Sequence, residues 1–361
     1  VTLDEISITL VYSAMAVYAI AFIAYAIDLA RRSAVAASAA DAAAAASLAS
    51  SATPATVGAP ATVGAPATAG ARVSGASGAG AAAGAPSKGG RAAASVARAG
   101  GASVAYGRSP SLRVGVAMTV LAWALHLAAD ITRGLAAGRV PWANMYEFAL
   151  TGTLIITSVY LLVLVVSKHD LRFLGTFITG LVLVLLGIAT VNFYVSVVPL
   201  PPALQSAWLV IHVFVATSAV GFLALGFALS VVQLMQSRRE TMLATAKQVR
   251  RSFLATLPDS ATLENLAYRV TIIGFILWTF TLMAGAIWAE AAWGRYWGWD
   301  TKEVWTFIIW VVYAGYIHAR ATRGWRGSRS AWLAIIGFST VMFNFTVVNL
   351  FFKGLHAYSG L

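Results

Sequence analysis

The chain contains no cysteine among its 361 residues. That excludes disulfides, thiolate metal sites and any cysteine-based redox relay. Charge is scarce too: Asp, Glu, Lys and Arg make up 11% of the sequence, where a soluble globule carries roughly a quarter. Acids are the scarcer sign, 13 against 25 Lys plus Arg, giving a formal net charge of +12. What is abundant is apolar surface, 59% of residues. It gathers in runs of about 20, each long enough to cross a hydrocarbon core of about 30 Å. The sequence therefore reads as an all-α integral membrane protein. In such a chain the basic excess belongs to the connecting loops, where it sets orientation, and does not mark a nucleic-acid surface. The first apolar run starts near residue 6. It lacks a basic n-region and a small-residue cleavage pattern, so it reads as a retained span and not a removed signal peptide.

Eight transmembrane helices are predicted, near 6–30, 112–134, 145–167, 171–195, 205–236, 265–290, 302–320 and 331–352. Arg31 with Arg32, the segment up to Arg113, Lys168 with Arg172, the Arg238–Arg251 loop and Arg320–Arg329 all fall between alternate spans. The positive-inside rule makes that set cytoplasmic, so the chain is expected N-out and C-out. Three regions follow: a first helix in 1–32, a linker over 33–110, and a seven-helix membrane domain over 111–361 with an outward loop at 291–305. The linker is rich in Ala, Gly and Pro, with a short "ATVGAP" repeat. No large apolar side chain recurs there to offset the entropy of ordering, so it is expected to be disordered and cytoplasmic, with transient helix in its alanine-rich part. It is assigned no chemistry.

The five histidines divide by depth. His169 sits in a short turn beside Lys168 and Asp170, and is read as a surface residue. His126 is well inside the second span, and its role is open. An ionisable group at membrane depth is costly and defaults to a functional hypothesis. His212 lies just inside the fifth span and His356 just past the eighth, both toward the outer face. Imidazole is a good iron ligand. Two imidazoles on one iron place their nitrogens about 4 Å apart, a condition two helix ends at one face can meet. His318 cannot join them. It lies some 16 residues along the seventh span from the loop, about 24 Å at 1.5 Å per residue, and serves an inner site or none.

Between these histidines stands "WGRYWGWDTKEVW", residues 293–305, with four tryptophans and a tyrosine. Interfacial anchoring accounts for one or two of the rings. Asp300 and Glu303 fit a helix N-cap with its reciprocal partner, opening the seventh span. Packing between helices is a third reading. The density of rings suggests more: Trp293, Tyr296, Trp297, Trp299 and Trp305 as one aromatic plate, with Gly294 and Gly298 leaving room against the backbone. Arg295 and Lys302 are cations of the kind that pair with carboxylates. A flat, apolar, dianionic ligand with a central metal meets all of these features, and haem is such a ligand.

The segment resembles the tryptophan-rich "WWD" signature of haem-handling proteins, and its form is similar to that of the CcsA (ResC) family of cytochrome c biogenesis. "PWANMYEF" at 141–148, "LPPALQSAWLVIHV" and "KGLHAYSG" resemble further segments of that family. The resemblance runs from about residue 112 to the end of the sequence. Thr301 stands where relatives usually carry proline, which should loosen the turn slightly. The resemblance implies that His212 and His356 are axial metal ligands, and in that sense catalytic, holding haem b beneath the loop. It further implies cofactor contacts from Trp293, Gly294, Arg295, Trp297, Gly298, Trp299, Asp300 and Trp305. His318 is implied as a metal ligand of an inner haem site, whose mate comes from a CcsB (ResB)-type membrane subunit. The implied activity is that of a cytochrome c haem lyase component of System II, which presents haem to the Cys-x-x-Cys-His segment of an apocytochrome c. A chain without cysteine then needs a separate thiol-reducing, thioredoxin-like partner. Tyr146 and Glu147 either border the docking surface or cap the third span, and capping is favoured. Two other readings stay open: a haem-b electron-transfer subunit that never releases its cofactor, and a haem exporter without ligation activity.

Overall fold

In a computed structural model of the chain, the described residues are 2–51, 109–197, 205–245, 253–322, 324–352 and 354–355. Among them all regular structure is helical: α1 (Leu3–Ser51), α2 (Pro110–Ala137), α3 (Met145–Val166), α4 (Gly175–Asn192), α5 (Ala207–Ala244), α6 (Ser260–Trp293), α7 (Thr301–Thr322) and α8 (Ser328–Phe343). A π-helical segment, Asn344–Val348, continues α8 into a last turn, Asn349–Phe351. Seven of these stretches are long and apolar enough to cross a membrane, and α7 is not counted among them. Tryptophans, tyrosines, His318 and terminal charges dilute its hydropathy.

The first helix does not stop at residue 32. It runs on to Ser51, through a stretch dominated by alanine, the best helix former. The rest of the expected linker, 52–108, lies outside the described residues, as does His356.

Neighbouring helices run antiparallel. Ser7 donates to Ala129 O at 2.8 Å and Thr119 to the Tyr25 hydroxyl at 3.2 Å, so α1 descends as α2 ascends. The pairing of α5 with α6 is the most extensive in the bundle. It is close because Gly274 leaves no gap: a Cβ there would meet Leu223 Cδ2 at 2.7 Å, the small-residue logic of helices packing in lipid.

A buried charge network joins four helix ends on the side where the tryptophan loop lies. Arg133 and Glu147 are both fully buried and pair at 3.1 Å. Arg133 also reaches Asp4 at 2.5 Å and the Val195 carbonyl at 2.8 Å, and Arg139 pairs with Glu147 at 2.7 Å. Asn144 accepts from Glu147 N and Glu147 Oε2 from Ala143 N, each at 2.9 Å. The capping expectation for Glu147 therefore holds, and Asn144 is the N-cap of α3. Removing one partner of such a buried network costs about 3–5 kcal/mol, so the 139–147 turn is held firmly where it meets the site.

Candidate functional site

At that same side, α3, α5, α6, α7 and the π segment enclose a mostly apolar cavity with about 1650 Å³ of atom-free space, including the part that opens outward.

His212 lines it from α5. Its Nδ1 lies 3.0 Å from the Thr281 carbonyl on α6. A carbonyl only accepts, so Nδ1 carries the proton and the lone pair sits on Nε2, the arrangement of a metal-ligating imidazole. Trp288, buried, stacks on the ring at 5.8 Å and 19°. Gly285 makes the seat possible, since a Cβ there would meet His212 Cε1 at 2.8 Å and Nδ1 at 3.0 Å.

The tryptophan loop forms part of the roof, but its rings do not make one plate. Trp293 packs edge-on against Trp288, with centroids 4.8 Å apart. Trp305 packs on Phe343 of α8 at 4.3 Å. These two take the packing role. Trp297 and Tyr296 line the cavity. Trp299, with φ of 57°, stands 76% exposed and edge-on to Trp297. The loop is pinned from below, where Glu303 Oε2 accepts from Gly298 N at 2.8 Å and Asp300 N at 3.1 Å. The reciprocal half of the expected cap is thus present. Gly294 ends α6 in the left-handed region at φ 69°. The space over Gly298 is filled by the Arg295 guanidinium, which takes the place a Cβ would occupy.

Asp300 reaches a different target. Its Oδ1 accepts from Leu355 N at 3.3 Å, which ties the loop to the residue immediately before His356.

Lys302, singled out by its charge in the sequence, lines the cavity, and the polar groups around it escaped the sequence reading. Lys302 Nζ donates to Asn344 O at 3.3 Å and to Asn349 Oδ1. Asn349 Nδ2 in turn contacts Met145 Sδ at 3.2 Å, beside Asn144. Trp142 and Asn144 line the cavity from the "PWANMYEF" turn. The partners of Lys302, 42 and 47 positions away, left no local signature in the sequence. The π segment that carries Asn344 is of a kind found frequently at functional sites.

The remaining histidines lie elsewhere. His318 is exposed near the far end of α7 and does not line the cavity. His126 is buried against Tyr18, whose hydroxyl is 3.4 Å from Nδ1. His169 sits in its turn with its backbone N–H on Ser167 Oγ. Among the described residues no group of three or more His, Cys, Asp or Glu could hold a metal ion.

The family whose profile matches residues 142–356 is described as Cytochrome C assembly protein. The "Cytochrome c biogenesis protein CcsA" of Guillardia theta is 35% identical over 69% of this chain and 86% of its own length. Its namesakes in Prochlorococcus marinus and Synechococcus elongatus are 36% and 35% identical, over 63% and 68% of this chain and 78% and 86% of theirs. A solved structure described as "Cytochrome c Heme Lyase CcmF" superposes with a TM-score of 0.48 at 18% identity, over 66% of this chain and 41% of that one.

Proposed function

The chain belongs to the CcsA family of cytochrome c assembly proteins, and from that premise we propose that it is the haem-handling subunit of a cytochrome c synthase. It holds haem b beneath the tryptophan loop and presents it to the Cys-x-x-Cys-His segment of an apocytochrome c. The observation that carries this reading is His212: an imidazole on an apolar cavity wall, with Nδ1–H fixed on a backbone carbonyl so that Nε2 offers its lone pair.

In this reading His356 supplies the second axial imidazole. The hydrogen bond between Asp300 and Leu355 supports it, because it brings the adjoining chain to the loop. Trp288 and Gly285 hold the His212 ring, while Trp297 and Tyr296 shield the substrate from water. Each apocytochrome thiol then adds across a haem vinyl group: sulfur bonds to the carbon next to the ring and the thiol proton goes to the terminal carbon. No electrons enter or leave in that addition. A thioredoxin-like partner keeps the thiols reduced, since this chain has no cysteine to do so. The apocytochrome histidine replaces one ligand at release. His318 serves an inner haem site completed by a CcsB (ResB)-type subunit, and its exposure on α7 suits a contact with another helix. All eight helices span the cytoplasmic membrane with both termini outside. At about 33 Å, α7 is long enough for the hydrocarbon core.

The electron-carrier reading needs His126 as a ligand near His212. His126 instead faces Tyr18, outside the cavity, which disfavours that reading.

The test is maturation of a co-expressed cytochrome c. His212→Ala and His356→Ala should each abolish covalent haem attachment, with partial recovery on adding imidazole. Normal maturation by both variants would remove the ligand assignment.

A further inference from the structure

Among the polar side chains on the mostly apolar cavity wall, one cluster is rich in donors. Lys302 has three N–H groups. Two are placed on Asn344 O and Asn349 Oδ1, both neutral acceptors, and among the described residues the lysine makes no ion pair. Asn144 is 5% exposed. Its Oδ1 is used as the cap of α3, while Nδ2 is buried with no hydrogen-bond partner among the described residues. Trp142 Nε1, two residues earlier, is buried without a partner in the same way. All three side chains line the cavity, and the contact between Asn349 and Met145 places the lysine beside the Asn144 turn.

Buried donors without acceptors cost free energy, about 1–3 kcal/mol each, and mark a position where something else accepts. The carboxylate that also lines this space, Glu303, is committed to Gly298 N and Asp300 N. Among the described residues, Asn344 Oδ1 is a buried acceptor without a partner on this wall, and it sits next to the carbonyl that holds Lys302. The balance of the cluster is three donor groups, one of them a lysine amine, in a mostly apolar pocket.

We infer that Lys302, Asn144 and Trp142 form a carboxylate-binding subsite that receives the propionates of haem and thereby fixes which edge of the macrocycle faces outward. This rests on the haem reading above and adds to it an orientation: the propionate edge lies toward the 142–144 turn and the start of α7. The vinyl edge, across the ring, is left for the incoming thiols. Arg295, assigned by its charge to the same task, is exposed and lies over Gly298, whereas Lys302 lines the cavity, so the lysine is the better placed cation.

The experiment compares binding of ferric haem and of its dimethyl ester to the full chain in detergent, by absorbance titration. The ester keeps the iron, ring and vinyl groups but cannot present a carboxylate. Wild type should bind haem at least tenfold more tightly than the ester. Asn144→Asp keeps the capping oxygen and so the fold of α3, but replaces the donor by a repelling oxygen. Trp142→Phe removes the indole N–H and keeps the packing, and Lys302→Met removes the charge. Each should bring the ratio toward one by weakening haem, with the ester little changed. Equal wild-type affinities, or an unchanged ratio in all three variants, would overturn the subsite and leave the haem reading standing. Binding of neither compound would overturn both.

Discussion

His212 depends on its neighbours for both position and protonation state. The Thr281 carbonyl selects the tautomer, Trp288 limits rotation of the ring, and Gly285 leaves the volume in which it lies. Disturbing the supporting shell of a metal ligand typically costs 10- to 100-fold in affinity. Gly285→Ala puts a methyl against Cε1 and Nδ1 and should push the ring off the carbonyl. Haem retained through purification should fall by about that factor, while α6, helical at this position, folds normally. Retention equal to wild type would mean that this orientation of the ring is not the binding one. Little of this was legible in the sequence. A histidine at membrane depth can be flagged from position alone, but its partners lie 69 residues or more away along the chain, and no local pattern announces them.

At the scale of elements, the loop and the helix it opens are coupled through one carboxylate. Glu303 is nearly buried and satisfies the amides of Gly298 and Asp300 together. Glu303→Ala leaves both N–H groups without that acceptor. Their hydrogen exchange should quicken by tenfold or more, with the middle of α7 unaffected; unchanged protection would show that other contacts hold the loop. The capping pairs here and at Asn144–Glu147 could be read from spacing, because an N-cap and its partner three residues on are local chemistry. The fate of the tryptophans could not. Which ring packs and which lines the cavity depends on Trp288 and Phe343, supplied by other parts of the fold. The extent of α1 was misjudged for another reason. A run of alanine and serine has no apolar period to read, yet alanine's own helix propensity carries the helix to Ser51.

For the whole molecule, the long apolar runs made the spans legible, since nothing else in a protein needs about 20 such residues in sequence. The span that composition leaves marginal, α7, is the one flanked by the site. Because the native sequence is free of cysteine, single cysteines can report on sidedness without background. Tyr296→Cys and Val197→Cys should react with a membrane-impermeant maleimide from outside intact cells, and Ser167→Cys and Arg326→Cys only after lysis. Labelling of Tyr296→Cys and Arg326→Cys from the same side would mean that α7 and α8 do not alternate as proposed.

The overlong first helix also bears on how the chain can be cut and rejoined. Sixteen residues beyond Val35 carry the backbone roughly 24 Å past the end of the span before Ser51. The path back to Ser109, where α2 begins, need cover little more than that distance. At up to about 3.3 Å per extended residue, some eight residues would bridge it. The connecting stretch from 52 to 108 is many times longer than the gap it must close. Shortening it by tens of positions would leave the α1–α2 pairing and the cavity geometrically untouched.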